Sequence, residues 1–327
     1  MYEREISLEF HSTLGALIQD FLREKLACGY RYTSNIHQFR RLDRFFCEVG
    51  LSDTELPKQV VMKWISKHPH ESPRTHREKI YLIRQLAVFM KQRGFEAFIP
   101  DTKLAPKIRL EFTPYIFSHD EIRKIIESAD NLSRDYRSPL RHLVIPEIFR
   151  LLYCCGMRVG EVIRLKVADI DTDGGIITVR EGKFRKDRLV PMTPSMSERL
   201  RKYESLLGRR NPEAYYFPAP DGGNFGSRVI YAYFRRFLRL SGISHGGRGN
   251  GPRLHDLRHT FAVHRLEIWY REGVELEATL PLLAVYLGHR RLSGTQRYLR
   301  LTPNIFPDIT ASLEKSVGFA IPGRGGQ

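Results

Sequence analysis

The chain lacks the features of a membrane or secreted protein. Its sequence contains no uninterrupted apolar stretch of about 18 residues, the length that a membrane helix needs. The first ten residues, MYEREISLEF, do not have the pattern of a signal peptide, and no internal repeat or low-complexity tract is visible. The sequence therefore predicts a soluble globular protein of the cytoplasm, with no membrane partner.

Cysteine is scarce, and its spacing is not that of a metal site. The chain has four cysteines, namely Cys28, Cys47, Cys154 and Cys155. The adjacent pair lies in an apolar run, which predicts reduced thiols in the core and a reducing compartment. No metal site is predicted from these residues.

Acidic residues are too few to balance the basic ones. The sequence has 53 Lys and Arg against 37 Asp and Glu, which gives a formal net charge of +16. Such an excess favours a polyanionic partner, above all nucleic acid. Both halves of the chain share the excess, so both could face the same polyanion.

Apolar residues recur at helical spacing in several segments of residues 1–99. Basic residues lie between them, on the predicted outer faces, and are candidates for contact with DNA: Arg40, Arg41, Arg44, Arg74, Arg77, Lys79 and Arg84. A solvated helix face is the alternative, because runs of charge usually are just that. The sequence thus predicts a small helical domain with basic faces.

Prolines interrupt the stretch that follows. Pro100, Pro106 and Pro114 stand among basic residues, and no helix or strand period is visible between them. We interpret residues 100–115 as an extended basic linker. Residues 116–327 then form a second domain.

The second domain combines helices with a pair of strands. SHDE at residues 118–121 is a capping box, which predicts the start of a helix. Strands are predicted over residues 176–180 and 188–192. The hairpin between them is tight and basic, and it carries Lys183 and Lys186. Further helices are predicted over residues 143–153, 195–207, 227–240 and 276–287. The predicted fold class is mainly α with a small antiparallel β-sheet.

Two arginines in this domain occupy positions suited to binding an anion. Arg158 lies at a turn between two predicted helices, and Glu161 follows three residues later, where it could hold the guanidinium. His255 and Arg258 are three residues apart in HDLRH, directly after a glycine-rich loop. This spacing predicts a helix that begins near residue 254 or 255, with both side chains on one face at an N-terminus that attracts anions.

A second histidine and a tyrosine follow these arginines. His289 ends the motif LGH, and Tyr298 comes nine residues later. Between them, Ser293 and Gln296 have the spacing of a capping box, which predicts a short helix that carries Tyr298 in its first turns. A phenol beside several fixed cations suggests attack on a phosphate.

The two histidines of HDLRH also have the spacing of a zinc-binding helix. His255 and His259 are four residues apart, but Asp256 stands where such zinc helices have glutamate. Arg258 would place a positive charge beside the metal. We therefore disfavour zinc and interpret His259 as a structural residue.

In order and spacing, these residues resemble the active site of the tyrosine recombinases, which include phage integrases, the Xer recombinases and Cre. The resemblance rests on GMRVGE, GKFRKDRLVP, HDLRH, LGH and the tyrosine, and it covers roughly residues 116–302. Any one of these residues alone would usually be structural, whereas all of them in this order form a specific signature. Residues 1–99 fit the helical core-binding domain of that family by position.

The resemblance implies a reaction at a DNA phosphate. Tyr298 would attack the scissile phosphate, giving a 3′-phosphotyrosyl link and a free 5′-hydroxyl, with His255 assisting proton transfer. Arg158 and Arg258 would hold the non-bridging oxygens, and His289 would donate a further hydrogen bond. Glu161 would orient Arg158.

The 5′-oxygen leaving group needs a proton, and the resemblance implies that Lys183 supplies it. Lys186 lies near the same predicted hairpin tip, so it is the alternative acid. The bond to the protein would conserve the phosphodiester energy, so neither ATP nor a metal cofactor is expected.

The expected partner is double-stranded DNA, bound by a homo-tetramer on paired sites and by a monomer or dimer away from DNA. The protein would act at the nucleoid, as a site-specific recombinase of a mobile genetic element. A topoisomerase of type IB shares this chemistry and is the first alternative. A DNA-binding accessory protein without activity is the second.

A last helix is predicted after the tyrosine. Residues 304–317 carry an apolar stripe at Ile309, Leu313 and Val317, which must be buried. The stripe could pack on its own domain. The resemblance to tyrosine recombinases implies instead that it docks on a neighbouring protomer.

Overall fold

The computed structural model describes residues 9–30, 33–107, 113–180, 187–247, 251–289 and 291–301. The chain divides into two compact units, residues 1–112 and 113–327. Lys183, Lys186 and the predicted helix over residues 304–317 lie outside the described residues. Among the described helices, none is long and apolar enough to cross a membrane.

In its described part, the first unit consists of helices around one apolar core. The helices are α1 (Gly15–Ala27), α2 (Thr33–Glu48), α3 (Lys58–Ile65) and α4 (Pro73–Gln92). The ring of Phe21 lies 5.3 Å from that of Phe39 and 5.3 Å from that of Phe89, centroid to centroid. These contacts join α1 to α2 and α4, because each helix turns its apolar stripe inward.

The stretch interpreted as a linker begins inside this first unit. Ala105 packs against its core, and Thr102–Leu104 forms a short 3₁₀ turn. The Arg84 guanidinium donates a hydrogen bond of 2.5 Å to the carbonyl oxygen of Pro100. The described part of the stretch, up to residue 107, is therefore held against α4.

The second unit surrounds a small sheet with helices. The helices are α5 (His119–Asp130), α6 (Arg141–Cys154), α7 (Val159–Val162), α8 (Pro194–Leu207), α9 (Ser227–Leu240), α10 (Asp256–Arg271), α11 (Leu276–Leu287) and α12 (Ser293–Gln296). Short 3₁₀ turns span Val167–Asp169 and Arg297–Leu301. The strands are β1 (Ile170–Asp171), β2 (Ile176–Val179) and β3 (Arg188–Pro191), in the order β1-β2-β3 and antiparallel. The predicted fold class is confirmed.

Helix α10 runs through the interior of the second unit. It packs against α6, α11 and the 3₁₀ turn Arg297–Leu301, so most of its faces are covered. Its buried polar residues need partners, and the Thr260 hydroxyl accepts a hydrogen bond of 3.0 Å from the backbone N–H of Phe117. The fold thus carries histidines and an arginine into its centre on one helix.

The capping box predicted at the start of α5 is confirmed. The Ser118 hydroxyl accepts a hydrogen bond from the backbone N–H of Glu121, whose carboxylate accepts one from the N–H of Ser118. The prediction of core cysteines is wrong for Cys28, Cys47 and Cys154, which are exposed, while Cys155 is buried. Helical spacing explains the difference in the adjacent pair, because neighbouring helix residues point in different directions.

Candidate active site

Helix α10 begins where the sequence predicted. His255 occupies its N-cap position and Asp256 its first turn, and the Asp256 carboxylate accepts a hydrogen bond of 2.8 Å from the backbone N–H of Arg253. The His255 ring is exposed, whereas Arg258 and His259 are buried. The start of α10 therefore places His255 at the surface and Arg258 and His259 in the interior.

The buried guanidinium of Arg258 ties two chain segments together. Its side chain donates a hydrogen bond of 2.7 Å to the carbonyl of Gly156, which precedes α7, and another to the carbonyl of Leu287 at the end of α11. Burial, followed by the nearby charge of Arg158, lowers the pKa of Arg258 to about 9. Within the part of the chain that the structure describes, its Nε is buried and has no hydrogen-bond partner, which leaves one donor of the guanidinium unsatisfied.

Arg158 and Arg188 share one carboxylate. Arg158 donates to Glu161 through its side chain at 2.7 Å and through its backbone N–H at 2.9 Å. Arg188, the first residue of β3, grips both oxygens of the same carboxylate, at 2.9 and 2.8 Å. Burial alone would raise the pKa of the Glu161 carboxyl, but the bonds and charges of Arg188 and Arg158 lower it to about 2.

Further bonds from these two arginines reach the end of α11. Arg158 donates to the carbonyl of Gly288 at 3.3 Å, and the Arg188 Nε donates to the carbonyl of Tyr286 at 3.0 Å. Gly288 has a φ of +63°, a left-handed conformation that glycine adopts without strain. A Cβ there would also lie 3.1 Å from the Arg188 side chain. The turn before His289 is therefore held by two arginines.

His289 packs beside the tyrosine. Its Nδ1 is 2.8 Å from the Thr295 hydroxyl, and its ring lies nearly parallel to that of Tyr298, with centroids 6.1 Å apart. Burial and the charges of Arg258 and Arg158 lower the pKa of His289 to about 4. This histidine is therefore neutral at neutral pH and can donate one hydrogen bond to a ligand.

Tyr298 is buried, with 1% of its surface exposed, and its hydroxyl lies 2.9 Å from Nδ1 of His259. The predicted short helix is confirmed as α12, but Tyr298 lies in the 3₁₀ turn Arg297–Leu301 that directly follows it and not in the α-helix itself. The predicted cap at Ser293 is wrong. The N-cap of α12 is Leu292, one residue before the predicted cap, and α12 is a single turn.

The structure thus brings together Arg158, Arg258, His289 and Tyr298, with Glu161 behind the first arginine. The charges of Arg258 and Arg158 act on Tyr298, although burial dominates and raises the pKa of its phenol above the usual value. Lys183 lies in the connection between Val179 and Arg188, which pair across β2 and β3. The site has the excess of positive charge that a phosphate group needs.

Sequence reasoning missed two residues of this site. Arg188 follows the basic hairpin in sequence, but its grip on Glu161 depends on the tertiary fold. His259 was interpreted as structural, yet it is the residue in contact with the Tyr298 hydroxyl. Its place directly after Arg258 in HDLRH was the available signal.

A cluster outside this site has side chains that can bind metals. His119, His264 and Glu267 offer ligand atoms within 4.8 Å of one another. However, the two imidazole rings stack face to face with centroids 3.9 Å apart, so their in-plane lone pairs do not converge on one point. His264 Nδ1 is also 2.9 Å from the hydroxyl of Tyr153. This arrangement suits packing better than coordination.

An apolar groove of about 320 Å³ opens between α10, α11 and β3. Its walls include Met192, Phe261, Trp269 and Leu283. On the adjoining surface of α11, Leu282 and Val285 are 65% and 72% exposed. Apolar side chains with that much exposure, next to an apolar groove, are typical of a surface that binds another protein segment.

The chain is similar in sequence to known integrases and recombinases. The model of the phage integrase family matches residues 116–304. The putative integrase/recombinase y4rB of Sinorhizobium fredii is 30% identical over 312 residues, which cover 93% of this chain and 98% of that protein. The tyrosine recombinase XerA of Pyrococcus horikoshii is 29% identical over 264 residues, or 80% of each chain.

Solved structures share the fold. A lambda integrase dimer bound to a COC′ core site matches with a TM-score of 0.62 and 17% identity, covering 86% of this chain and 94% of that one. The recombinase XerH, in a post-cleavage complex with a palindromic difH substrate, matches with a TM-score of 0.61 and 18% identity, covering 86% and 80%. At these identities the likeness extends to the fold alone.

Replacing Arg188 by Met should destabilise the second unit, because Glu161 would keep a single partner. We expect the free energy of unfolding to fall by about 3–5 kcal/mol at pH 7, as when a buried ion pair is broken. Urea unfolding followed by Trp269 fluorescence, in a Trp64→Phe background, would measure this unit, since the chain has 2 tryptophans. The exposed Arg201→Met is the matched control and should change the value by less than about 0.5 kcal/mol.

The difference between Arg188→Met and the parent should depend on pH. The Glu161 pKa is lowered in the folded protein, so the ion pair stabilises the fold above about pH 4.5 and is lost as the pH falls towards 2. The two unfolding free energies should therefore converge as the pH is lowered from 5. A difference that stays constant over this range would contradict the pairing.

Proposed function

This chain belongs to the phage integrase family and is a tyrosine-type site-specific recombinase, and we propose that Tyr298 is the residue that attacks DNA. The Tyr298 oxygen would bond to the scissile phosphorus, and the bond from phosphorus to the 5′-oxygen would break. The products are a 3′-phosphotyrosyl link and a free 5′-hydroxyl. Reversal of these steps with a new 5′-hydroxyl joins the exchanged strand.

The observation that carries this proposal is the connection made by Arg258. This one side chain binds the segments that bear Arg158 and His289, and its charge acts on Tyr298. A phosphate bound between these groups would give the Arg258 Nε the hydrogen-bond acceptor that it lacks. The site is thus preorganised for negative charge that develops during phosphoryl transfer.

Each further residue has a role in the proposal. Arg158 and Arg258 hold the non-bridging oxygens, and neutral His289 donates a hydrogen bond to one of them. His255, exposed at the N-cap of α10, would assist proton transfer. Glu161 fixes Arg158. Lys183, with Lys186 as the alternative, supplies the proton to the 5′-oxygen.

The alternatives receive less support. A type IB topoisomerase would share the chemistry, but the relatives named above are integrases and recombinases over most of their length. A silent accessory protein is disfavoured because Arg158, Arg258, His289 and Tyr298 of the signature are all present and lie close enough for their charges to act on one another. Strand exchange between paired sites is therefore the reaction that we propose.

The first unit is proposed to bind the DNA backbone through the exposed side of α2 and α4. Arg41, Arg44 and Arg74 are exposed, and Arg40 and Arg77 are half-buried, so all five can reach a phosphate. Lys79 is a poor candidate, because its side chain is 8% exposed and binds Glu71 at 3.1 Å. Arg84 is engaged with Pro100, and we assign it to holding the linker.

The active assembly is proposed to be a homo-tetramer on two DNA sites, formed from monomers or dimers at the nucleoid and encoded by a mobile element. The groove beside α11 supports this proposal, with Leu282 and Val285 on its exposed side. The apolar stripe predicted for residues 304–317 has the chemistry to fill such a groove on a neighbouring protomer. Packing on its own domain is the alternative.

Tyr298→Phe should bind its DNA normally and form no covalent complex, because it lacks the attacking oxygen. Incubation with a nicked suicide duplex, followed by denaturing electrophoresis, measures the adduct. Tyr153→Phe, which removes a half-buried hydroxyl from another helix, is the control and should keep the adduct. A denaturant-resistant adduct with Tyr298→Phe would disprove the assignment.

Lys183→Ala should slow cleavage by about 10²–10⁴-fold, the contribution of a general acid. A substrate with sulfur in place of the 5′-bridging oxygen should restore the rate, since a thiolate leaves without a proton. Lys186→Ala is the matched control from the same hairpin and should have a small effect on both substrates. Rescue that is confined to Lys186→Ala would transfer the acid role to Lys186.

Deletion of residues 304–327 should spare binding to a single half-site and reduce cooperative filling of the second. Leu282→Glu should do the same from the other side of the contact, since it adds a charge beside the apolar groove. Leu206→Glu, which places the same charge at an exposed position of α8, is the control and should keep the parental cooperativity. Gel-shift titration on one and two half-sites would test this. Unchanged cooperativity in the deleted chain and in Leu282→Glu would argue against docking between protomers.

A further inference from the structure

The residue at the Tyr298 hydroxyl is His259, whereas His255, proposed above to assist proton transfer, packs edge-on against the His259 ring with centroids 4.8 Å apart. His255 would therefore assist through His259. The distance from the hydroxyl to Nδ1 of His259 is 2.9 Å, and the two ring centroids are 5.5 Å apart. Both residues are buried, with exposed fractions of 1% for Tyr298 and 8% for His259. A hydrogen bond between groups so shielded from water fixes the direction of the phenol hydroxyl.

His259 is neutral at neutral pH, so it can accept this hydrogen bond. Burial, and after it the charges of His255 and Arg297, lower the pKa of His259 to about 3. Burial also raises the pKa of the Tyr298 phenol, which keeps its proton. In the tautomer that carries its proton on Nε2, His259 has a bare Nδ1, and the phenol is then the donor.

We propose that His259 is a further catalytic residue, whose Nδ1 accepts the hydrogen bond of the Tyr298 hydroxyl and takes its proton during the attack on phosphate. The O–H bond of Tyr298 breaks as its oxygen bonds to phosphorus, and the proton moves to Nδ1. The bond from phosphorus to the 5′-oxygen breaks, and the acid proposed above protonates that oxygen. The reverse reaction returns the proton to the phenol.

The entry of DNA makes this proton transfer easier. Without DNA, the charges around His259 are the cations of Arg258 and Arg297 and the rings of His255 and His289. A phosphodiester bound by the arginines adds a negative charge within the same cluster, which favours the protonated form of a nearby histidine. His259 thus becomes a better base when the substrate is in place.

This inference rests on the proposal that Tyr298 is the nucleophile, and one set of variants tests both. His259→Phe removes the acceptor, whereas His259→Asn keeps an oxygen near the position of Nδ1. His264→Phe is the matched control, because His264 is buried on the same helix and bonds a different tyrosine, Tyr153. Half-site binding is measured first, and the single-turnover rate of cleavage on a suicide duplex is then measured at saturating protein.

We expect His259→Phe to bind DNA as the parent does and to cleave about 10²–10⁴-fold more slowly, with His259→Asn in between. His264→Phe should keep the parental rate. Incorporation of 3,5-difluorotyrosine at position 298 lowers the phenol pKa, so it should restore much of the rate to His259→Phe while changing the parent little. A purely structural role of His259 would not respond to the acidity of the phenol.

The outcomes separate the two proposals. Failure of the parent to form an adduct, or an adduct with Tyr298→Phe, would overturn the nucleophile assignment itself. Parental adduct formation together with undiminished cleavage by His259→Phe would overturn only the role of His259. If His259→Phe is unfolded, His259→Asn takes its place in the comparison. A cleavage rate of His259→Asn that stays the same with difluorotyrosine at position 298 would overturn the inference.

Discussion

The arrangement of the site depends on one buried cation. Arg258 is 1% exposed, and it satisfies its charge with the carbonyl groups of Gly156 and Leu287 instead of a carboxylate. Gly156 lies two residues before Arg158, and Leu287 lies two residues before His289. A desolvated guanidinium is unfavourable unless it is hydrogen-bonded, so the same bonds that stabilise Arg258 also hold the segments in place.

A second tie, through Glu161, extends this arrangement to the sheet. The carboxylate joins Arg158 at the start of α7 to Arg188 at the start of β3. Arg188 in turn binds the backbone at the end of α11. The base of the hairpin that carries Lys183 is thereby connected to the groups that would hold the phosphate.

Much of this could be predicted from sequence, because the signals are local. The bounds predicted for α9 and α11 are those that the structure has, Ser227–Leu240 and Leu276–Leu287, and both strands were predicted within a residue. The motif residues Arg258 and Tyr298 were found by spacing. The contacts of Arg188 and His259 could not be predicted, because they join residues 27 and 39 positions apart in the chain, and spacing says nothing about such pairs.

The burial of Tyr298 has a consequence for accuracy. The proposed nucleophile Tyr298 is 1% exposed, so a phosphodiester would reach its hydroxyl only after the chain that covers it shifts. The energy for that shift can come only from binding, and DNA that is held weakly supplies little of it. Weak binding to non-target DNA would therefore leave the strands uncut. The enzyme would distinguish its target from other DNA by whether binding exposes the Tyr298 side chain.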